Sequence, residues 1–353
     1  MNLDDHALIK NLDKNNYYPE ILNFPTHLSE GWRIGQTKPI QFRGTSIENI
    51  LICGMGGSAI GADLAAAFAR TQSRVPMVIC RDYDLPAWAA GEHTLVIASS
   101  HSGNTEETLS CFKEAKLNGC RILAISTGGQ LERLAVDARS TFWKFSHSGQ
   151  PRAAVGFSLG FMLSAFTQLD LIEDPTKSIE NAVGLIQNES ANFVLETPIH
   201  KNPAKRLAGQ MVGRIPIIFG SDYLAPVARR FKTQVNELAK SWAQFEFLPE
   251  ADHNTAAGIE YPETAGQQIF ALFLESASDH PRNRLRSQMT RHNFLIEGIN
   301  CDSYFVPGES PLENICAGVQ FCDFVSFYLA IALNVDPTPI PGITAIKNSM
   351  TGN

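Results

Sequence analysis

Between residues 49 and 145 short, unbroken apolar runs alternate with helical patterns. The runs are "NILICG" (49–54), "PMVICR" (76–81), "TLVIASS" (94–100), "RILAIST" (121–127) and "TFWKF" (141–145). Each is too short to lay down a buried helical face, and none alternates apolar with polar as a half-exposed strand does. Continuous short runs suit strands covered on both sides, as in parallel sheets. Amphipathic or small-residue segments at 59–70, 105–118 and 130–137 supply the covering helices. That order predicts a doubly wound α/β domain.

The remainder repeats the theme. Residues 153–171 read as an apolar helix, followed by a polar helical stretch. "IPIIFGS" (215–221) reads as a strand ending in Gly-Ser, and 223–240 as the helix after it. Further strands are expected at 243–248, 268–274, 293–299 and 303–307, with helices at 314–334 and near the C-terminus. The fold class expected is α/β: two tandem doubly wound, flavodoxin-like subdomains with parallel sheets. The first spans 49–175 and the second 176–353, with 1–48 as an N-terminal extension packed on the core. A length of 353 residues accommodates two such units.

Composition narrows the partners. A formal charge of −7 leaves no basic footprint for nucleic acid or an anionic membrane. A small anionic ligand stays open, because local backbone amides override net charge. No run of about 18 uninterrupted apolar residues occurs, so no membrane span is expected. "MNLDDHALIKNLDKNNYY" has neither a basic n-region nor an apolar h-region, so no signal peptide is read. The seven cysteines never form C-x-x-C. They predict reduced thiols in the cytoplasm, with neither a disulfide framework nor a zinc site.

Two strand-to-helix turns carry chemistry. In "CGMGGSAIGADL" (53–64), Gly54, Gly56 and Gly57 leave a strand and enter a helix. Glycines there bring bare N–H groups against a ligand, and Ser58 adds a hydroxyl. The string also fits G-x-G-x-x-A, but the acidic residue a dinucleotide fold needs about 20 residues on is met only by the late Asp82. In "ASSHSGNTEETL" (98–109), Ser100, Ser102 and Thr105 crowd a turn, Thr105 at the helix N-cap and Glu106 and Glu107 in the first turn. Alone this is an ordinary cap. Two serine–glycine turns in neighbouring strand–helix units instead indicate a phosphate cradle of neutral donors and helix N-termini.

Those two turns resemble the sugar isomerase (SIS) domain, which binds phosphosugars. "QPRAAVGFSLG" (150–160), "TQVNELAK" (233–240), "EADHNTAAGIE" (250–260) and "DPTPIPGITAIK" (336–347) narrow the resemblance to the bifunctional phosphoglucose/phosphomannose isomerases. The resemblance implies a homodimer and interconversion of glucose 6-phosphate and mannose 6-phosphate with fructose 6-phosphate, without metal or cofactor. Ser58, Ser100, Ser102 and Thr105 would hold the phosphate, and Gly56 and Gly57 would line the sugar. Arg152 would face the reacting carbons and Glu237 would be the proton-transfer base. His253, which the family borrows from the partner subunit, and Lys347 would open the ring. Thr338 would make room for the mannose epimer. Two departures stand out: His101 replaces the usual Tyr, and "NELAK" replaces the commoner "NENAK".

The residue types suit the reaction. One carboxylate moves a proton between C1 and C2 through a cis-enediol if burial tunes it toward neutrality. A guanidinium stays protonated beside the enediolate. An imidazole titrates in the range that ring opening needs. Locally, however, Glu237 also reads as a surface helical glutamate, His253 as a surface histidine and Lys347 as a helix-end charge. The alternative function is a non-catalytic phosphosugar-sensing SIS protein, which keeps the serine turns without needing Glu237, Arg152 or His253. An aminotransferase of the same superfamily would need an N-terminal nucleophilic cysteine domain, absent from "MNLDDH".

Overall fold

The computed structural model describes residues 2–351 apart from Arg43 and Thr45. It divides into two compact units, Asn23–Val183 and Gly184–Asn353 with the first 22 residues.

In the unit Asn23–Val183, five strands form one sheet: β1 (Asn49–Cys53), β2 (Met77–Cys80), β3 (Thr94–Ser99), β4 (Arg121–Ser126) and β5 (Thr141–Lys144). Their order is β2-β1-β3-β4-β5 and every pair is parallel. The central strands explain the unbroken apolar runs. Ile50, Leu51 and Ile52 of β1 and Leu95, Val96, Ile97 and Ala98 of β3 have no solvent exposure. The chain leaves β1 toward one edge of the sheet and β3 toward the other, so the carboxyl ends of β1 and β3 flank a topological switch point. Open α/β sheets bind ligands there, because the diverging connections leave a crevice.

The sheet is covered by helices Gly56–Ala69, Glu106–Leu117, Gly129–Asp137 and Val155–Gln168. The helix Phe24–Gln36 lies directly against Val155–Gln168 through small residues. A Cβ on Gly160 would meet the Trp32 nitrogen at 2.5 Å, and one on Gly31 would meet the Phe157 carbonyl at 2.7 Å. Only glycine permits backbones to approach that closely.

The other unit repeats the design with β6 (Ile215–Ser221), β7 (Gln244–Leu248), β8 (Ile269–Ser276) and β9 (Asn300–Val306), in the order β7-β6-β8-β9, all parallel. Its core helix is Pro311–Ala332. By length and composition this helix could cross a membrane, with a mean hydropathy of 1.7 over its most apolar stretch, yet 94% of that stretch is buried inside the protein. Its Asp323 pairs with Arg230 at 2.6 Å, both almost fully buried. The first 22 residues join this unit through Lys205, whose buried Nζ donates to Asp4 Oδ1 (2.9 Å) and the carbonyls of Leu195 (2.8 Å) and Thr197 (2.9 Å). Tyr18 packs its ring against Phe324 and Phe327.

Three details differ from the sequence reading. "NFLIEGI" (293–299) is not a strand: residues through Ile296 end the helix Pro281–Ile296, and β9 begins at Asn300. The expected extension 1–48 divides, its first 22 residues joining one unit and the helix Phe24–Gln36 the other. The second subdomain, expected from 176, starts at Gly184, inside the helix Thr176–Ser190.

Candidate active site

The two serine turns sit at the carboxyl ends of β1 and β3, on either side of the switch point. Gly54 brings them together: a Cβ there would meet the Ser99 carbonyl at 2.9 Å and Ser58 Cβ at 3.3 Å. The helix Gly56–Ala69 has Met55 at its N-cap and no side-chain cap bond. In its first turn Ser58 N already donates to the Met55 carbonyl at 3.1 Å, and the helix dipole favours an anion at that end. Gly56 takes φ +50°, while Gly57 is needed for proximity, since a Cβ there would meet the Pro151 carbonyl at 2.8 Å and Arg152 Cα at 3.4 Å. This contact lays the turn Pro151–Ala153 on the start of the helix and brings Arg152, only 3% exposed, to the same place. Gly57, Ser58, Ser100, His101 and Pro151 line one small cavity.

The second turn is tightly built. Ser100 Oγ and Thr105 Oγ1 lie 2.8 Å apart, and the Gly103 amide donates to Ser100 Oγ at 3.1 Å. Thr105 occupies the N-cap position of the helix Glu106–Leu117 but makes no side-chain cap bond, because its hydroxyl is spent on Ser100. Ser102 is exposed, and its hydroxyl accepts from the Asn104 amide at 3.2 Å. An anion bound here would compete with these internal bonds for the hydroxyls.

The turn after β4 clasps this loop, which the sequence reading passed over. Thr127 donates twice to the His101 carbonyl, through its amide (3.0 Å) and its hydroxyl (2.7 Å). The Gly103 carbonyl accepts from Leu131 N at 2.9 Å. Gly103 has φ +69°, and a Cβ there would lie 1.8 Å from the Gly128 carbonyl, so no other residue fits. The available signal was "STGG" (126–129) directly after a strand. The ring of His101 meets His147, Nε2 to Nδ1 at 2.9 Å, and packs edge-on to Phe145.

The remaining predicted residues belong to the other unit. Glu237 is half-buried near the C-terminal end of the helix Ala225–Ala239. Lys240, in the left-handed region at φ +53°, closes that helix and donates to the carbonyls of Leu238 (3.0 Å) and Asp336 (2.6 Å). That bond ties the end of the Glu237 helix to the segment carrying Thr338, whose amide donates to Asp336 Oδ1 at 2.9 Å. His253 is exposed on the turn Glu250–His253 after β7. Its neighbour Asp252 fastens that turn, accepting from Arg286 Nη1 (2.8 Å) and Thr290 Oγ1 (2.6 Å). Lys347 is exposed on the helix Pro341–Thr351.

The switch point of this second sheet is chemically different. Where β6 and β8 end, Asp222 accepts from His280 N and Asn283 Nδ2, each at 2.9 Å, and Asp279 accepts from the Ser276 amide at 2.7 Å. Burial pushes the Asp279 carboxyl up to about 6. Carboxylates there would repel a phosphate.

Residues 200–350 match the bacterial phospho-glucose isomerase C-terminal SIS domain. The chain is 36% identical over 336 residues to the bifunctional phosphoglucose/phosphomannose isomerase of Caldicellulosiruptor bescii, covering 94% of this chain and 98% of that one. It is 33% identical over 309 residues to the enzyme of the same name from Aquifex aeolicus, covering 87% and 91%. Among solved structures, the C-terminal domain of glucosamine-fructose-6-phosphate aminotransferase from Francisella tularensis superposes with a TM-score of 0.71 at 12% identity, covering 91% of this chain and 97% of that one. At that identity the superposition speaks for the fold alone.

Proposed function

This chain belongs to the bifunctional phosphoglucose/phosphomannose isomerase family, and from that premise we propose that it interconverts glucose 6-phosphate and mannose 6-phosphate with fructose 6-phosphate. The observation that carries the reading is the grouping at the β1/β3 switch point: an uncapped helix start, a hydroxyl-rich loop and a buried arginine. A sugar phosphate offers a dianion for the first two and a developing enediolate for the third.

In this reading Ser58, Ser100, Ser102 and Thr105 hold the phosphate with neutral donors, helped by the positive ends of two helices. Gly56 and Gly57 line the sugar. Glu237 takes the proton from C2 of the open-chain aldose and returns it to C1, so one carboxylate serves both half-steps through a cis-enediol(ate). Arg152 stabilises the anion without competing as an acid, and its burial strengthens that interaction. His253 and Lys347 move protons at the ring oxygen and O1, and Thr338 accommodates the C2 epimer. No metal or cofactor is assigned a step. The homodimer, and the sharing of His253 between subunits, are part of the same proposal, as is a cytoplasmic setting.

A coupled assay of the purified protein with glucose 6-phosphate and mannose 6-phosphate tests this. Turnover of both is expected. Binding of the sugar phosphates without turnover of either would replace the proposal with a phosphosugar-sensing role.

A further inference from the structure

Three of the seven cysteines converge in space although no spacing in the sequence links them. Cys53 closes β1 and Cys80 closes β2, where they are register partners across the parallel pair. Cys111 comes from the helix Glu106–Leu117, packed over the same end of the sheet. Their three Sγ atoms all lie within 4.8 Å of one another. Among the described residues this is the one group of three histidine, cysteine or acidic side chains whose ligating atoms converge so closely.

The surroundings favour coordination. The loop after β2 turns its carbonyls onto the thiols: Cys111 Sγ donates to the Asp82 carbonyl at 3.2 Å and Cys80 Sγ to the Asp84 carbonyl at 3.5 Å. Cys53 and Cys111 are buried, while Cys80 is partly exposed and gives an ion a way in. By contrast Cys316 and Cys322 lie buried in the helix Pro311–Ala332, outside any such group. A lone buried thiol behaves as a small apolar group.

We propose that Cys53, Cys80 and Cys111 form a thiolate site for one soft d10 cation, Zn²⁺ or Cu⁺, separate from the groups assigned to isomerisation. Thiolate ligands select such ions. A tetrahedral Zn–S distance of about 2.3 Å sets the sulfurs about 3.8 Å apart, so each moves by less than about 1 Å to bind. The Asp82 carbonyl or a water completes a zinc shell, whereas Cu⁺ takes three thiolates alone. Binding releases the thiol protons to solvent and changes no oxidation state. Cys53 directly precedes Gly54 of the first serine turn, and the helix of Cys111 begins at the second. The ion therefore cross-links the two elements that carry the phosphate-binding turns.

The test uses the full-length protein, reduced and stripped of metal. It is titrated with Co²⁺ as an optical probe, then with Zn²⁺, and with Cu⁺ against a chromophoric Cu⁺ chelator. One equivalent of Co²⁺ should give a thiolate-to-cobalt charge-transfer band, displaced by Zn²⁺ or Cu⁺. Whichever ion displaces it at the lower free concentration is the preferred occupant. Cys111→Ala should abolish the band and weaken binding at least about a hundredfold, more than loss of an outer-shell partner does. Cys316→Ala should leave it unchanged. The wild-type titration needs no variant to fold. Absence of a saturable band in wild type overturns the proposal. So does a band that survives in a folded Cys111→Ala protein, or loss of two titratable thiols to a disulfide before any metal is added. None of these outcomes bears on isomerase activity, which the coupled assay measures separately.

Discussion

Gly57→Ala isolates the contact that sets Arg152 beside the first serine turn. Gly57 does not need a left-handed backbone, so the change acts through space alone. The new Cβ would lie 2.8 Å from the Pro151 carbonyl, against an ordinary contact distance near 3.4 Å, so the turn Pro151–Ala153 must retreat by about 0.6 Å. Overpacking of this kind costs about 1–3 kcal/mol. Alanine's better helix propensity offsets up to about 1 kcal/mol of that in the fold. The displacement of Arg152 has no such offset. If a cost of the same size falls on the transition state, kcat/KM drops about 5- to 150-fold, while the net loss of stability is at most about 2 kcal/mol. Gly56→Ala is the control, because its Cβ meets nothing within 4 Å and only the φ of +50° is strained. It should cost about 1–2 kcal/mol of stability and less activity than Gly57→Ala. Steady-state kinetics on glucose 6-phosphate and thermal melts of both variants decide the matter. A Gly57→Ala enzyme within twofold of wild type, or a Gly56→Ala enzyme with the larger loss of kcat/KM, would refute the reasoning.

Other outcomes follow from named groups. Glu237→Gln should lower kcat at least about a hundredfold while fructose 6-phosphate still binds by calorimetry; retained turnover places the base elsewhere. Lys205→Met removes a buried ammonium from one carboxylate and two carbonyls and should cost about 3 kcal/mol in urea unfolding. A loss below about 1 kcal/mol would show that those acceptors find water instead. Asp279, with its carboxyl raised by burial to about 6, binds its proton more tightly folded than unfolded. Its contribution is full below about pH 4 and is lost as pH rises through about 6, by at most about 3 kcal/mol. Asp279→Asn, which keeps an acceptor for the Ser276 amide, should flatten that slope. An unchanged slope would assign it to another group.

The sheets were legible because burial on both faces writes itself as unbroken apolar runs, as in "TLVIASS" and "IPIIFGS". The same rule failed at "NFLIEGI". In the helix Pro281–Ile296, Leu285, Leu295 and Ile296 are exposed while Phe294 is buried, so the segment lacks an amphipathic stripe and its last turn imitates a strand. The serine turns could be read because glycine and hydroxyl residues fall together in sequence. What completes them could not be read, because it comes from distant chain. The Thr127 turn reaches His101 across 26 residues. The first 22 residues join their unit through Lys205, 201 residues from Asp4, and a C-x-x-C search cannot find thiols gathered from β1, β2 and a helix. His101 had no role in sequence; its backbone anchors the Thr127 turn and its ring meets His147.

The most direct measurement is proton NMR of fructose 6-phosphate incubated with the purified protein in D₂O. The account predicts that glucose 6-phosphate and mannose 6-phosphate both accumulate, with deuterium entering at C2 as Glu237 exchanges its proton with solvent. Failure of both aldoses to form would contradict the proposed activity.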